Sequence, residues 1–128
     1  MNPQNVLVII PTYNEAVSIS AVAAVVLGRW KEISLLIVDD NSPDGTASIV
    51  RDSFPQEARL SIIRRERKNG IGAAYLEGMQ WGLQKGFDLF IQMDGDSSHD
   101  PAQIEEILHR AEQHDFIVLS RWIDGAGA

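Results

Sequence analysis

Short apolar runs alternate with amphipathic stretches along the whole chain. NVLVII (5–10) is the first run; it stops at Pro11 and predicts a buried strand. Ile19, Val22, Ala23 and Val26 then keep the i, i+3, i+4, i+7 spacing of a helix that buries one face. ISLLIV (33–38) predicts a second strand, and Ser42-Pro43 supplies an N-cap and first-turn proline for a second helix running to Phe54. RLSIIR (59–64) is a third strand, and Gly70 to Lys85 a third helix that Gly78 and Gly82 weaken. FDLFIQM (87–93) is a fourth strand. Asp100-Pro101-Ala102-Gln103 opens a fourth helix with Ile104, Ile107, Leu108 and Ala111 on its face, and DFIVLS (115–120) is a fifth strand.

Strands and helices in strict alternation predict the α/β class: a mostly parallel sheet with helices on both faces and right-handed crossovers. Ligands of such sheets sit beyond the carboxyl ends of the strands. That rule brings Pro11 to Glu15, Asp39 to Asp44 and Asp94 to Asp100 to one edge, although they are far apart in sequence.

The totals narrow the chemistry. The 128 residues suit one domain, and 45% hydrophobic content supports a real core. No repeat, low-complexity tract or linker interrupts the chain. A formal net charge of −7 disfavours a nucleic-acid or anionic-membrane surface, but allows a small anionic ligand held through a metal ion. Cysteine is absent, which favours a reducing compartment. The start lacks a basic leader, and the apolar stretches Val6 to Ile10 and Ala21 to Leu27 fall far short of the ~20 residues of a membrane span. A soluble, cytoplasmic domain is the expectation.

Asp39 and Asp40 close the second strand; Asp94 and Asp96 follow the fourth. Carboxylates gathered this closely repel unless water, a helix N-terminus or a divalent cation relieves them. Aspartate and serine oxygens suit Mg²⁺ or Mn²⁺, and a sparse oxygen set shares its ion with substrate phosphates. Each motif also has a plainer use. Asp44 and Asp100 serve as helix caps. Thr12-Tyr13-Asn14-Glu15 has the form of a capping box, against a ligand role for Glu15. Gly70-Ile71-Gly72 could admit a phosphate or simply make a turn. Arg64, Arg65, Arg67 and Lys68 read as a solvated basic face, His99, His109 and His114 as loop or surface groups, and Trp30, Trp81 and Trp122 as packing.

Taken together, VIIPTYNEA (8–16), LLIVDDNSPDGTA (35–47), KNGIGAAYLEGM (68–79), MDGDSSHDP (93–101) and LSRW (119–122) resemble family 2 glycosyltransferases of the GT-A fold. The resemblance is nearest to dolichol-phosphate mannose synthases and related polyprenyl-phosphate glycosyltransferases, and it spans almost the whole chain. It implies the Rossmann-like nucleotide-binding part of that fold over residues 1–128. It implies that Pro11, Tyr13 and Glu15 hold base and ribose, and that Val38 and Asp40 meet the nucleoside. Asp94, Gly95 and Asp96 match the D-x-D motif, with Asp96 as metal ligand, Ser98 as a second metal contact and Asp94 nearer ribose and sugar. Arg121 matches an arginine beside the donor diphosphate and acceptor phosphate. Asp96 and Arg121 are thus the expected catalytic pair.

The implied reaction is inverting, metal-dependent transfer of a sugar to a polyprenyl or dolichyl phosphate. Mannose from GDP-mannose leads, and glucose from a UDP donor is the alternative. Relatives continue past Ala128 with acceptor-side elements and often membrane segments, so the chain reads as the nucleotide-binding half, C-terminally shortened. Any membrane association would come through those regions or partners, at the cytoplasmic face. Two other classes share part of this pattern. A non-catalytic nucleotide-binding module is compatible with the length. A response-regulator receiver shares LLIVDDN, but its acidic pair follows the first strand and not the second as here, and it needs a lysine downstream of its phosphoacceptor aspartate, whereas no lysine occurs after Lys85.

Overall fold

A computed structural model of the chain describes residues 5–66 and 70–93. Within them the elements run β1 (Val6–Thr12), α1 (Ile19–Arg29), β2 (Ile33–Asp39), α2 (Thr46–Ser53), β3 (Leu60–Arg64), α3 (Ile71–Gln84) and β4 (Leu89–Gln92). The predicted fourth helix and fifth strand lie outside the described residues.

The four strands form one sheet in the order β3-β2-β1-β4, and every neighbouring pair is parallel. Alternate side chains feed two cores, which is why the strands read as unbroken apolar runs. Val8, Ile10, Leu35, Ile37 and Ile91 face α1 and α2. Leu7, Ile9, Leu36, Val38 and Phe90 lie in the second cluster, on the face that α3 covers. The helix-spaced residues Ile19, Val22, Ala23 and Val26 are all buried against the first core, as their periodicity predicts.

Two boundaries and the role of two glycines differ from expectation. β1 does not stop at Pro11, which pairs with Val38 inside the strand. The odd residues of β1 turn their backbone polar groups toward β4, as Met93 N–H donating to Ile9 O shows. A donor at position 11 would point at the Met93 carbonyl, and the Tyr75 hydroxyl donates to that oxygen instead, at 3.4 Å. The second helix starts at Thr46 after Gly45, whose φ is +81°, and not at Ser42-Pro43. The Ser42 hydroxyl is engaged elsewhere, as described below. Finally, Gly78 and Gly82 do not merely weaken α3. A Cβ on Gly78 would stand 2.9 Å from Ile9 Cγ2, so the bare backbone lets the helix sit close on the sheet.

The opposite edge of the sheet is fastened by Arg59. Its Nη1 donates to Trp30 O at 2.8 Å and Ile33 O at 3.2 Å, and its Nη2 to Leu27 O at 2.8 Å. Helix ends leave such carbonyls without intrahelical donors. Glu57 orients the guanidinium from below, with Oε2 3.1 Å from Nε. That hydrogen bond holds the Glu57 carboxyl below its ordinary 4.5. Arg59→Met should lower stability by about 2 kcal/mol in urea denaturation, and Arg59→Lys should recover only part, since one ammonium cannot reach three carbonyls.

Candidate functional site

The site is built at the carboxyl edge, where β1, β2 and β4 end side by side. Strand order reverses between β1 and β4, and doubly wound sheets bind their ligands at that reversal. The ladder runs on past the strands: Asp40 N–H donates to Thr12 O at 3.0 Å and Arg65 N–H to Asp39 O at 2.7 Å. Side-chain alternation therefore continues too. Asp39 turns to the α1/α2 face and Asp40 to the α3 face.

This split accounts for the first two of the four carboxylates, Asp39 and Asp40, each of which has its own partners. Asp39 is 1% exposed. Its Oδ1 accepts from the Thr12 and Ser42 hydroxyls, both at 2.6 Å, and its Oδ2 from Ser42 N–H at 2.9 Å. Three donors stabilise its charge in place, so Asp39 is a structural brace. The Thr12 hydroxyl is thereby committed to Asp39, and α1 starts only at Ile19, so residues 12–15 are not a capping box.

Asp40 meets an arginine. Its Oδ1 lies 2.7 Å from Arg65 Nε, and both side chains are 7% exposed. Arg65 is thus buried, not part of the solvated basic face the sequence suggested. Arg64 is exposed as expected, and Arg67 and Lys68 lie outside the described residues. The charges are paired by distance, yet the N–H is not aligned on the oxygen: Asp40 Oδ1 and Arg65 Nη2 both lack a hydrogen bond. Glu77 of α3 approaches Arg65 Nη1 at 3.8 Å.

The two loops at this edge are stitched together. Asn14 N–H donates to Ser42 Oγ at 2.9 Å, Glu15 N–H to Thr46 Oγ1 at 3.0 Å, and Ala16 N–H to Asp44 Oδ2 at 3.0 Å. Three successive amides of the β1–α1 loop are therefore taken up by side chains of the β2–α2 segment. Asp44 also accepts from the Thr46 amide and hydroxyl at the start of α2, which matches its reading as a helix-end group. The Thr46 hydroxyl, with help from the amides, holds its carboxyl below the ordinary 3.8. Asn14 and Asn41 sit at φ +58° and +56°, a region asparagine tolerates better than most residues.

Of the predicted nucleoside-binding residues, Pro11, Tyr13, Glu15 and Asp40 stand together at this edge. Pro11 is half-buried and Tyr13 is exposed. Val38 is fully buried, its side chain in the cluster under α3. Asp94, Gly95, Asp96, Ser98 and Arg121 lie outside the described residues. Sequence reasoning missed Arg65, Thr12, Ser42 and Thr46. Strand parity carries the signal for Arg65, because Asp40 and Arg65 both continue the rows that face α3.

Among the described residues, no three His, Cys, Asp or Glu side chains gather to hold a metal ion. Asp39 and Asp40 are engaged by hydroxyls and by Arg65, so the described carboxylates do not fit a metal seat. The predicted seat rests on Asp96 and Ser98. No described helix is long and apolar enough to cross a membrane.

A parallel sheet in this order, with helices on both faces and its polar loops joined at the carboxyl edge, defines a doubly wound α/β domain of Rossmann-like type. Its described part has the GT-A architecture. The glycosyl transferase family 2 model matches residues 7–127, and the chain belongs to that family. It is 37% identical over 120 residues to an undecaprenyl-phosphate mannosyltransferase of Micrococcus luteus, covering 94% of this chain and 49% of the relative. It is 36% identical over 124 residues to a polyprenol monophosphomannose synthase of Mycolicibacterium smegmatis, covering 95% of this chain and 47% of the relative. The chain thus spans about half the length of these relatives.

Two solved structures agree on the fold. A mannosyltransferase from Pyrobaculum calidifontis, in complex with GDP-Man and Mn²⁺, matches with a TM-score of 0.57 and 26% identity, over 62% of this chain and 25% of that one. Glucosyl-3-phosphoglycerate synthase from Mycobacterium tuberculosis, with Mn²⁺, UDP and phosphoglyceric acid, matches with a TM-score of 0.66 and 17% identity, over 84% of this chain and 38% of that one.

Proposed function

We propose that this chain is the donor-binding half of a polyprenyl-phosphate mannosyltransferase that takes mannose from GDP-mannose. The observation that carries the reading is identity of 36–37% across nearly the whole chain to two enzymes that bear polyprenol mannosylation in their names. The carboxyl edge supports it, because it offers Pro11, Tyr13, Glu15 and Asp40 together where a nucleoside would lie. On this reading Asp94 and Gly95 would contact ribose and sugar, and Arg121 the diphosphate.

Asp96 and Ser98 would hold a divalent cation, Mg²⁺ or Mn²⁺. When bound, it would neutralise charge on the departing nucleoside diphosphate. Arg121 adds a fixed positive charge for the same group. In the transfer, an oxygen of the lipid phosphate bonds to the anomeric carbon as the bond to the diphosphate oxygen breaks, which inverts the centre. The acceptor phosphate is already anionic, so no side chain has to remove a proton from it.

Calorimetry with GDP and UDP, each with and without Mn²⁺, tests the reading. GDP should bind more tightly than UDP, and only with the cation. Asp96→Ala should weaken binding by about tenfold or more. Unchanged binding after chelation would refute the metal seat, and preference for UDP would favour the glucosyl alternative.

A further inference from the structure

We infer that Arg65 is a positioning residue of the nucleoside pocket: its buried guanidinium holds the Asp40 carboxylate in place for the ligand. The inference rests on the reading above, that Asp40 meets the nucleoside.

Arg65 comes from the segment after β3, 25 residues from Asp40, with α2 and β3 between them. They are brought together because both extend strand rows that face α3. Arg65 is anchored at its backbone, through its N–H to Asp39 O at 2.7 Å, and flanked at its far end by Glu77 of α3. The Arg65 side chain is also buried, so its guanidinium has little room to leave Asp40. A guanidinium suits this task because it keeps its charge when buried and its rigid plane packs in one orientation, even though no N–H is aligned on Oδ1 here.

A purely structural buried pair is expected to saturate its hydrogen bonds. Asp39, one residue away, does so with three donors. The Asp40–Arg65 pair does not. Oδ1 has a cation at 2.7 Å but no aligned N–H, and Arg65 Nη2 has no acceptor. No described residue donates to Asp40 Oδ2. The carboxylate is thus neutralised and oriented while it keeps accepting capacity, as a ligand-reading group needs. Glu77, 48% exposed, completes the line of charges from α3 through Arg65 to Asp40.

The test uses the full chain with Mn²⁺, and compares GDP with inorganic pyrophosphate by calorimetry. Pyrophosphate has the phosphate end of the ligand and no nucleoside. Arg65→Gln should weaken GDP binding about tenfold or more, as misplacement of a first-contact group does, and leave pyrophosphate unchanged. Added to Asp40→Asn, it should cost nothing further. Glu77→Gln should show a smaller loss of the same kind. Unaltered GDP binding in Arg65→Gln, equal losses for both ligands, or additive losses in the double variant would each overturn the inference. If Asp40→Asn itself binds GDP normally, the nucleoside reading of Asp40 is what fails. Should Arg65→Gln not fold, Arg65→Lys decides: it keeps the charge without the fork, so a loss confined to GDP supports the role and normal GDP binding refutes it.

Discussion

Gly82→Val is expected to destabilise the protein by about 3 kcal/mol, at the upper end for overpacked cores. A Cβ at this position would stand 2.5 Å from Phe90 Cε1 and 2.8 Å from Leu7 Cδ2. Both atoms end flexible side chains, but Leu7 is 0% and Phe90 3% exposed, so neither has room to swing away. Helix propensity argues the other way, since replacing an interior glycine gains up to about 1 kcal/mol in an open position. The contact decides the sign. Gly72 of the same helix gives the control, because a Cβ there meets nothing within 4 Å. Gly72→Ala should therefore be neutral or slightly stabilising. Thermal and urea unfolding of the two variants side by side would check both directions.

Asp39→Ala should cost about 3–5 kcal/mol, because it strands three buried donors and leaves Thr12 and Ser42 without their acceptor. Asp39→Asn should cost less, as the amide oxygen can still accept, yet its NH₂ meets donors where the second oxygen stood. Denaturant midpoints measure the loss. The comparison with Asp40 is informative, for Asp40→Ala leaves Arg65 buried and unpaired and should cost stability too, but only Asp40 is predicted to govern the affinity for nucleotide. Equal losses of nucleotide affinity in Asp39→Asn and Asp40→Asn would contradict the division of labour between these neighbours.

The order of elements was legible because each strand is apolar on both faces and each helix on one. Ile33 to Val38 and Phe87 to Met93 could hardly be read otherwise, and the described strands fall within or beside those runs. Boundaries that depend on contacts distant in sequence were not legible. Ser42-Pro43 has the composition of a helix start, but the Ser42 hydroxyl is held by Asp39 and by the Asn14 amide 28 residues away. Thr12 to Glu15 has the composition of a capping box, but Thr12 belongs to a strand and its hydroxyl to Asp39. Arg65 looked like one member of a solvated cationic run until the fold set it against Asp40. In each case a local rule lost to a tertiary partner. Family resemblance pointed to Asp40 but not to Arg65, whose part is visible only once parity is followed beyond the strand ends.

The three amides of residues 14–16 that reach across to Ser42, Thr46 and Asp44 make the rim a single mechanical part. Recombining this domain with a relative would succeed only if both segments were exchanged as a matched set. A chimera that imported one of them alone would lose its counterpart's hydroxyls and carboxylate, and would inherit a frayed lip in place of a new specificity.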